Sequence, residues 1–206
     1  MENGNLFIIA APSGTGKTTL VKALVSEVPG VAVSISHTTR AKRPNEKNGV
    51  NYFFVGEEEF RQRIEKGEFL EYATVFGAFY GTSHSWVEAM LKKSMDVILE
   101  IDWQGMQQIK ILIPSSISIF ILPPSLDNLR ARLINRKQDN AQVIQARLAD
   151  VKETISHIQE FDYVIINDDF AQALSELKLV IKASRLLQRR QCERYTQLLA
   201  KLGAEE

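Results

Sequence analysis

The apolar positions of this chain fall into two rhythms, one of short continuous runs and one of helical spacing. Leu6 to Ala10 is an apolar run closed by Pro12 and Gly14, and Leu20, Leu24 and Val28 then recur at helical intervals over 18–28. That order predicts strand, loop, helix. The runs "DVILEID" (96–102) and "ISIFILPP" (117–124) are apolar on both alternations, as strands buried on both faces of a parallel sheet are, and "FDYVIIND" (161–168) resembles them. Helical patterns lie between: 57–66 with Phe60 and Ile64, 85–93 with Trp86 and Met90, and 125–136 with Leu126, Leu129 and Leu133. Further helices are expected at about 141–160 and about 170–195. Strands alternating with helices predict an open α/β sheet that binds ligands at the carboxyl ends of its strands.

The stretch 34–82 breaks this rhythm. It is polar, rich in Gly, Tyr and Phe, and carries short β-like pieces such as "YFFV" at 52–55, so it reads as a small β lobe inserted on the sheet. With 206 residues, 45% of them hydrophobic, the chain can bury a sizeable core. Its six prolines are scattered, and neither a repeat nor a linker divides it. One domain with appendages is the expectation.

Charge narrows the function classes. The 25 basic and 25 acidic residues cancel, so no bulk field recruits nucleic acid or an anionic membrane, and anion binding must be local. The lone Cys192 has no partner for an internal disulfide, and neither a leader pattern nor a long apolar run suggests export or membrane insertion. A cytoplasmic protein is expected.

The strongest local chemistry stands at 7–20, "FIIAAPSGTGKTTL". Gly14, Gly16, Lys17 and Thr18 have the spacing of a phosphate-binding P-loop at a strand-to-helix junction, with Ala11 where the pattern's first glycine stands. Glycines let successive N–H groups curl inward toward phosphate oxygens, the following helix start adds positive potential, Lys17 adds a mobile charge, and the Thr18 hydroxyl suits Mg²⁺. Ala11 is tolerable if its φ stays negative.

Downstream, "SISHTTRAKRPNEKNGVNY" (34–52) places Arg40, Lys42 and Arg43 beside hydroxyls of Ser36, Thr38 and Thr39, a set that matches phosphate oxygens. Taken alone it would be a solvated basic turn. Glu100 and Asp102 are two apart at the end of an apolar run, which predicts that both point to one face. They suit Mg²⁺ or a ligand edge; the bland alternative is a loop cap. Arg132 and Arg136 are four apart on one helical face, with Arg147 beyond the polar turn "KQDNAQ", an arrangement that looks like a hinged lid.

Six segments in register, "APSGTGKT", "SHTTRAKRPNEKNGVNYFFV", "EFLEYATVFGAFYGT", "ILEIDWQG", "RLINR" and "VIINDD", resemble the successive motifs of guanylate kinases and span 11–169. The resemblance implies a P-loop parallel sheet core flanked by helices, with an inserted α+β GMP-binding lobe and a helical lid. The core would comprise about 1–33, 94–125 and 155–206, the lobe about 34–93 and the lid about 126–154. The implied reaction is ATP + GMP giving ADP + GDP with Mg²⁺, serving purine recycling and GTP supply. Use of dGMP and the choice between monomer and homo-oligomer stay open.

The resemblance also assigns residues. Ala11, Pro12, Ser13, Gly14, Thr15, Gly16, Lys17, Thr18 and Thr19 would surround the ATP phosphates, and Asn167 would meet adenine, although asparagine before two acids also reads as a helix-capping loop. Arg40, Arg43, Tyr52 and Tyr80 would hold the GMP phosphate. Ser36, Glu71 and Thr82 would meet guanine, with Gly81 and Glu100 nearby. Thr18 and Asp102 would face the metal, and Lys17, Arg132, Arg136 and Arg147 would carry catalysis.

Base chemistry supports Glu71 separately: guanine presents two adjacent donors, N1–H and the 2-amino group, where adenine has an acceptor and no amino group. The rival readings are a kinase for another nucleoside monophosphate and a catalytically dead module that binds phosphopeptides. Intact Gly16, Lys17 and Thr18 argue against the second, and Glu71 with Ser36 and Thr82 against an adenylate or thymidylate acceptor. His37, His84 and His157 are scattered and receive no catalytic or metal role, while Arg185, Arg189, Arg190 and Arg194 read as a solvated or subunit-facing stripe.

Overall fold

The computed structural model describes residues 3–135, 149 and 151–203. Two sheets organise them. The larger is a five-stranded parallel sheet in the order β2-β7-β1-β8-β9, with β1 at Leu6–Ala10, β2 at Val31–Val33, β7 at Asp96–Leu99, β8 at Ile117–Leu122 and β9 at Tyr163–Ile166. The smaller has the order β4-β3-β6-β5, from β3 (His37–Thr38), β4 (Phe53–Phe54), β5 (Phe69–Val75) and β6 (Ala78–Ser83). This is the inserted lobe expected between 34 and 82.

All five residues of the central strand β1 are buried, and their alternation divides them between two cores. Phe7 and Ile9 pack with Leu20 and Leu24 of α1 (Lys17–Glu27) and with Leu174, Leu177 and Ile181 of the late helix Phe170–Ser184. Leu6, Ile8 and Ala10 face the opposite side, against Val87 of α3 (His84–Lys92) and Met106 and Ile109 of α4 (Trp103–Leu112). Helices cover both faces, as a parallel sheet requires. The P-loop therefore springs from a central strand buried on both faces.

The helix α2 (Glu57–Glu65) covers one face of the small sheet with its buried Phe60, which stacks on Phe69 and Phe79. Alternation along β6 puts Gly81 and Ser83 on that covered face and Tyr80 and Thr82 on the other. A side chain at Gly81 would meet Phe60 and Phe69 within 3.0 Å, so this glycine serves the aromatic packing behind the sheet.

Two expectations need correction, and two elements escaped the sequence reading. The strand starting at Asp96 stops at Leu99, so Glu100 and Asp102 do not share a strand face; Asp102 instead caps α4, its Oδ1 accepting the Gly105 N–H at 2.9 Å. Helix α4 itself was hidden, because the apolar run Ile111–Ile113 blurs the helical period of Met106 and Ile109. The three-residue strand β2 is too short to carry a pattern and exists through its pairing with β7. The long helix expected over 170–195 divides into α6 (Phe170–Ser184) and α7 (Gln188–Arg194), separated by the extended Leu187, and α8 (Thr196–Gly203) follows.

Helix α5 spans Leu126–Asn135, residues 151–156 are helical, and a 3-10 turn at Ile158–Glu160 leads into β9. The lid positions Arg136 and Arg147, and most of the helix expected at 141–160, lie outside the described residues.

Candidate active site

The loop between β1 and α1 has the curl that its glycines predict. Gly14 and Gly16 have φ of 99° and 101°, in the left-handed region, whereas Ala11 does not have positive φ, as its side chain requires. The Thr15 N–H and hydroxyl both donate to the Pro12 carbonyl, at 3.2 and 2.8 Å, closing the turn. Gly16 is constrained twice, since a Cβ there would lie 2.7 Å from Nδ2 of Asn167.

Asn167 stands just beyond β9 and is buried; its side-chain amide donates to the Thr15 carbonyl at 2.7 Å. The Arg132 guanidinium, reaching in from α5, donates to the same carbonyl at 2.9 Å and to the Asn167 carbonyl at 3.3 Å. These three residues, distant in sequence, form one knot over the P-loop. Beside it an open cavity of ≈ 430 Å³ is lined by Gly14, Gly16, Thr19, Arg132, Asn167, Asp168 and Phe170. It has the size of a small-molecule subsite.

Across the loop, the Thr18 hydroxyl donates to Glu100 Oε2 at 2.8 Å. Lys17 is half-buried, and dehydration lowers its pKa while the charges of Glu100 and Asp102 push it back up. Glu100 also adds to the upward pressure on Tyr52, whose phenol burial drives to about 12, with Tyr80 as the next cause. Glu100 is thus the electrostatic meeting point of the P-loop and the small lobe.

On the lobe, Arg40, Tyr52 and Tyr80 lie together. The Arg40 guanidinium lies 5.4 Å from the Tyr52 ring centroid, and Tyr52 meets Tyr80 edge-on at 5.9 Å. Glu46 organises the cluster: it accepts from Arg40 Nη2 at 2.7 Å and from the Arg43 backbone N–H at 2.9 Å. Sequence reasoning did not single it out, although an acid three residues after Arg43 in a Pro-containing turn was the available signal.

Glu71 is 3% exposed and accepts the Thr82 hydroxyl at 2.5 Å from the paired strand, where the two residues are in register. Burial pushes its carboxyl up to about 7; the Thr82 hydrogen bond opposes that rise and the charge of Asp102 adds to it. Ser36 is also buried, one residue before β3. A buried acid poised near neutrality beside a hydroxyl suits a ligand that brings two N–H donors and desolvates with it.

The basic stripe at the C-terminal end is not simply solvated. Arg185 Nε donates to buried Asp96 at 2.7 Å and its Nη2 to the Pro29 carbonyl at 2.9 Å, while Arg189 reaches the Ser115 carbonyl and Arg190 is buried. Arg185 and Arg189 thereby fasten the last helices to strand β7 and to the loops beside the sheet. Among the described residues, no helix is long and apolar enough to cross a membrane.

Comparison with known proteins agrees with this geometry. The family model for guanylate kinase matches residues 3–184. A guanylate kinase of Hahella chejuensis is 59% identical over 186 residues, covering 90% of this chain and 89% of that one. Another, of Pseudomonas fluorescens, is 55% identical over 201 residues and 98% of both chains. The crystal structure of guanylate kinase from Anaplasma phagocytophilum superposes with a TM-score of 0.76 at 32% identity, covering 92% of this chain and 90% of that one. P-loop core, inserted lobe and sequence kinship converge: this chain is a kinase and belongs to the guanylate kinase family, enzymes that phosphorylate GMP with ATP.

Proposed function

We infer that this chain transfers the γ-phosphoryl group of ATP directly to GMP, with dGMP as a second acceptor, and that it does so with Mg²⁺ in purine nucleotide recycling. The observation that carries the reading is the convergence on Glu100: it holds the P-loop hydroxyl of Thr18 and shares its field with Lys17 and with the phosphate-side Tyr52 of the lobe. A donor loop and an acceptor lobe are joined at one carboxylate.

Residue roles follow from chemistry. The backbone from Ala11 to Thr19, with Lys17, cradles the donor phosphates, while Asn167 and the adjoining cavity take the adenine side. Arg40 and Arg43, with Tyr52 and Tyr80, grip the acceptor phosphate. Glu71, Ser36 and Thr82 read guanine, and adenine would leave the buried carboxylate facing an acceptor. The roles proposed here reach phosphate and base and none of them calls on the ribose 2′-hydroxyl, so dGMP is expected as a second acceptor.

The donor set of Thr18 hydroxyl and the Asp102 and Glu100 carboxylates is all oxygen, which fits a hard cation completed by phosphates and water. When bound, Mg²⁺ would neutralise charge developing on the phosphates. A monophosphate with its second pKa near ~6 already offers an anionic oxygen at neutral pH, so no side chain need remove a proton. Lys17 and Arg132, joined by Arg136 and Arg147, stabilise charge spread over the transferring group.

Steady-state rates with ATP against GMP, AMP, UMP and dTMP test the reading. GMP is expected to be turned over faster than the others by orders of magnitude. Equal turnover of AMP and GMP would overturn it.

A further inference from the structure

Helix α4 carries a glycine, Gly105, inside its first turn, where alanine would be the better helix former. Its N–H is already committed to Asp102 Oδ1, and its φ lies outside the positive range, so neither capping nor strain calls for glycine. What calls for it is space. A Cβ on Gly105 would stand 2.6 Å from Glu71 Oε2 and 3.2 Å from the Glu71 carboxyl carbon; Ile101 Cδ1, at 3.0 Å, is a methyl end that can give way.

Glu71 cannot yield in the same way. Its other carboxylate oxygen is held by the Thr82 hydroxyl at 2.5 Å, and the side chain is buried. Nor can the helix retreat, because Gln108, one turn further along α4, is fastened to β5: its Nε2 donates to the Tyr72 carbonyl at 2.8 Å and its Oε1 accepts the Tyr72 N–H at 3.3 Å. Strand β5 and helix α4 are thereby held at a spacing that admits a carboxylate against a hydrogen atom and nothing larger.

We propose that Gly105 is a specificity-determining positioning residue: its missing side chain forms the floor on which the Glu71 carboxylate lies in register with Thr82, ready for the two N–H donors of guanine. The assignment rests on the reading of Glu71 given above. Gly105 touches no substrate itself; it acts through Glu71.

Two measurements test it together. Gly105→Ala is expected to raise the KM for GMP about tenfold or more with the KM for ATP changed less than about twofold, and Glu71→Asp added to Gly105→Ala, which shortens the acid away from the new methyl, is expected to recover part of the loss. Thermal melts of the same change in the parent and in Glu71→Ala give the second: Gly105→Ala lowers the melting temperature of the parent but leaves unchanged or raises that of Glu71→Ala, where the clash is gone. If Gly105→Ala does not fold in the parent, folding restored by Glu71→Ala supports the proposal, and failure in both backgrounds overturns it. An unchanged KM for GMP in Gly105→Ala, or the same melting shift in both backgrounds, also overturns it. Glu71→Gln separates the two levels: if it too leaves the KM for GMP unchanged, the guanine reading fails, whereas a large Glu71→Gln effect beside a silent Gly105→Ala removes the role of Gly105 alone.

Discussion

Glu71 is the residue at which burial and chemistry meet. Its carboxyl is raised to about 7 from the ordinary 4.5, first by dehydration, so near neutrality the ligand-free protein holds it partly protonated. Guanine needs the ionised form as an acceptor, and affinity for GMP should therefore rise as pH increases through about 7. Stability runs the other way. The folded state binds this proton more tightly than the unfolded chain, so the contribution is fully present below 4.5 and is lost as pH rises through about 7. Calorimetric titration of GMP and thermal melts between about pH 5 and about pH 8 check both signs. Glu71→Gln, which cannot ionise, should flatten both profiles relative to the parent.

At the scale of elements, the small sheet works because its two faces differ. Phe60 and Phe69 fill one face against Gly81, leaving Tyr80 and Thr82 on the opposite face with Glu71. The parallel sheet in turn depends on an anchor remote from the site. Asp96, 2% exposed at the start of β7, accepts from the Asn5 N–H and from Arg185, which ties the end of α6 to the sheet. Arg185→Ala leaves that buried carboxylate with one partner fewer and is expected to cost about 2–3 kcal/mol, read from the urea midpoint. The KM values for both nucleotides should move little, because Arg185 touches neither subsite.

Much of this was legible in the chain as written. Short runs apolar on both alternations marked β1, β8 and β9, and the glycine spacing before Lys17 marked the loop, since both signals are local. The lobe showed itself by its change of composition, and Arg40, Tyr52 and Tyr80 do gather there. What stayed hidden depends on partners distant in sequence. Strand β2 exists through β7, the Arg132 contact with Thr15 joins residues 117 positions apart, and Arg185 finds Asp96 across 89. Gly105 carried no signal of its own, and its missing side chain acquires a reason only where the Glu71 carboxylate packs against it.

For the molecule as a whole, the proposed function makes the P-loop half and the lobe half one two-nucleotide device, with recognition of the base concentrated in Glu71. The most direct measurement is the ratio of kcat/KM for GMP to that for AMP, with ATP as donor, in the parent and in Glu71→Gln. A parent ratio of about 10⁴ or more is expected, because a mismatched base leaves buried polar groups unpaired, and a ratio lowered at least about a hundredfold in Glu71→Gln. A parent ratio near unity, or a high ratio that Glu71→Gln leaves intact, would contradict it.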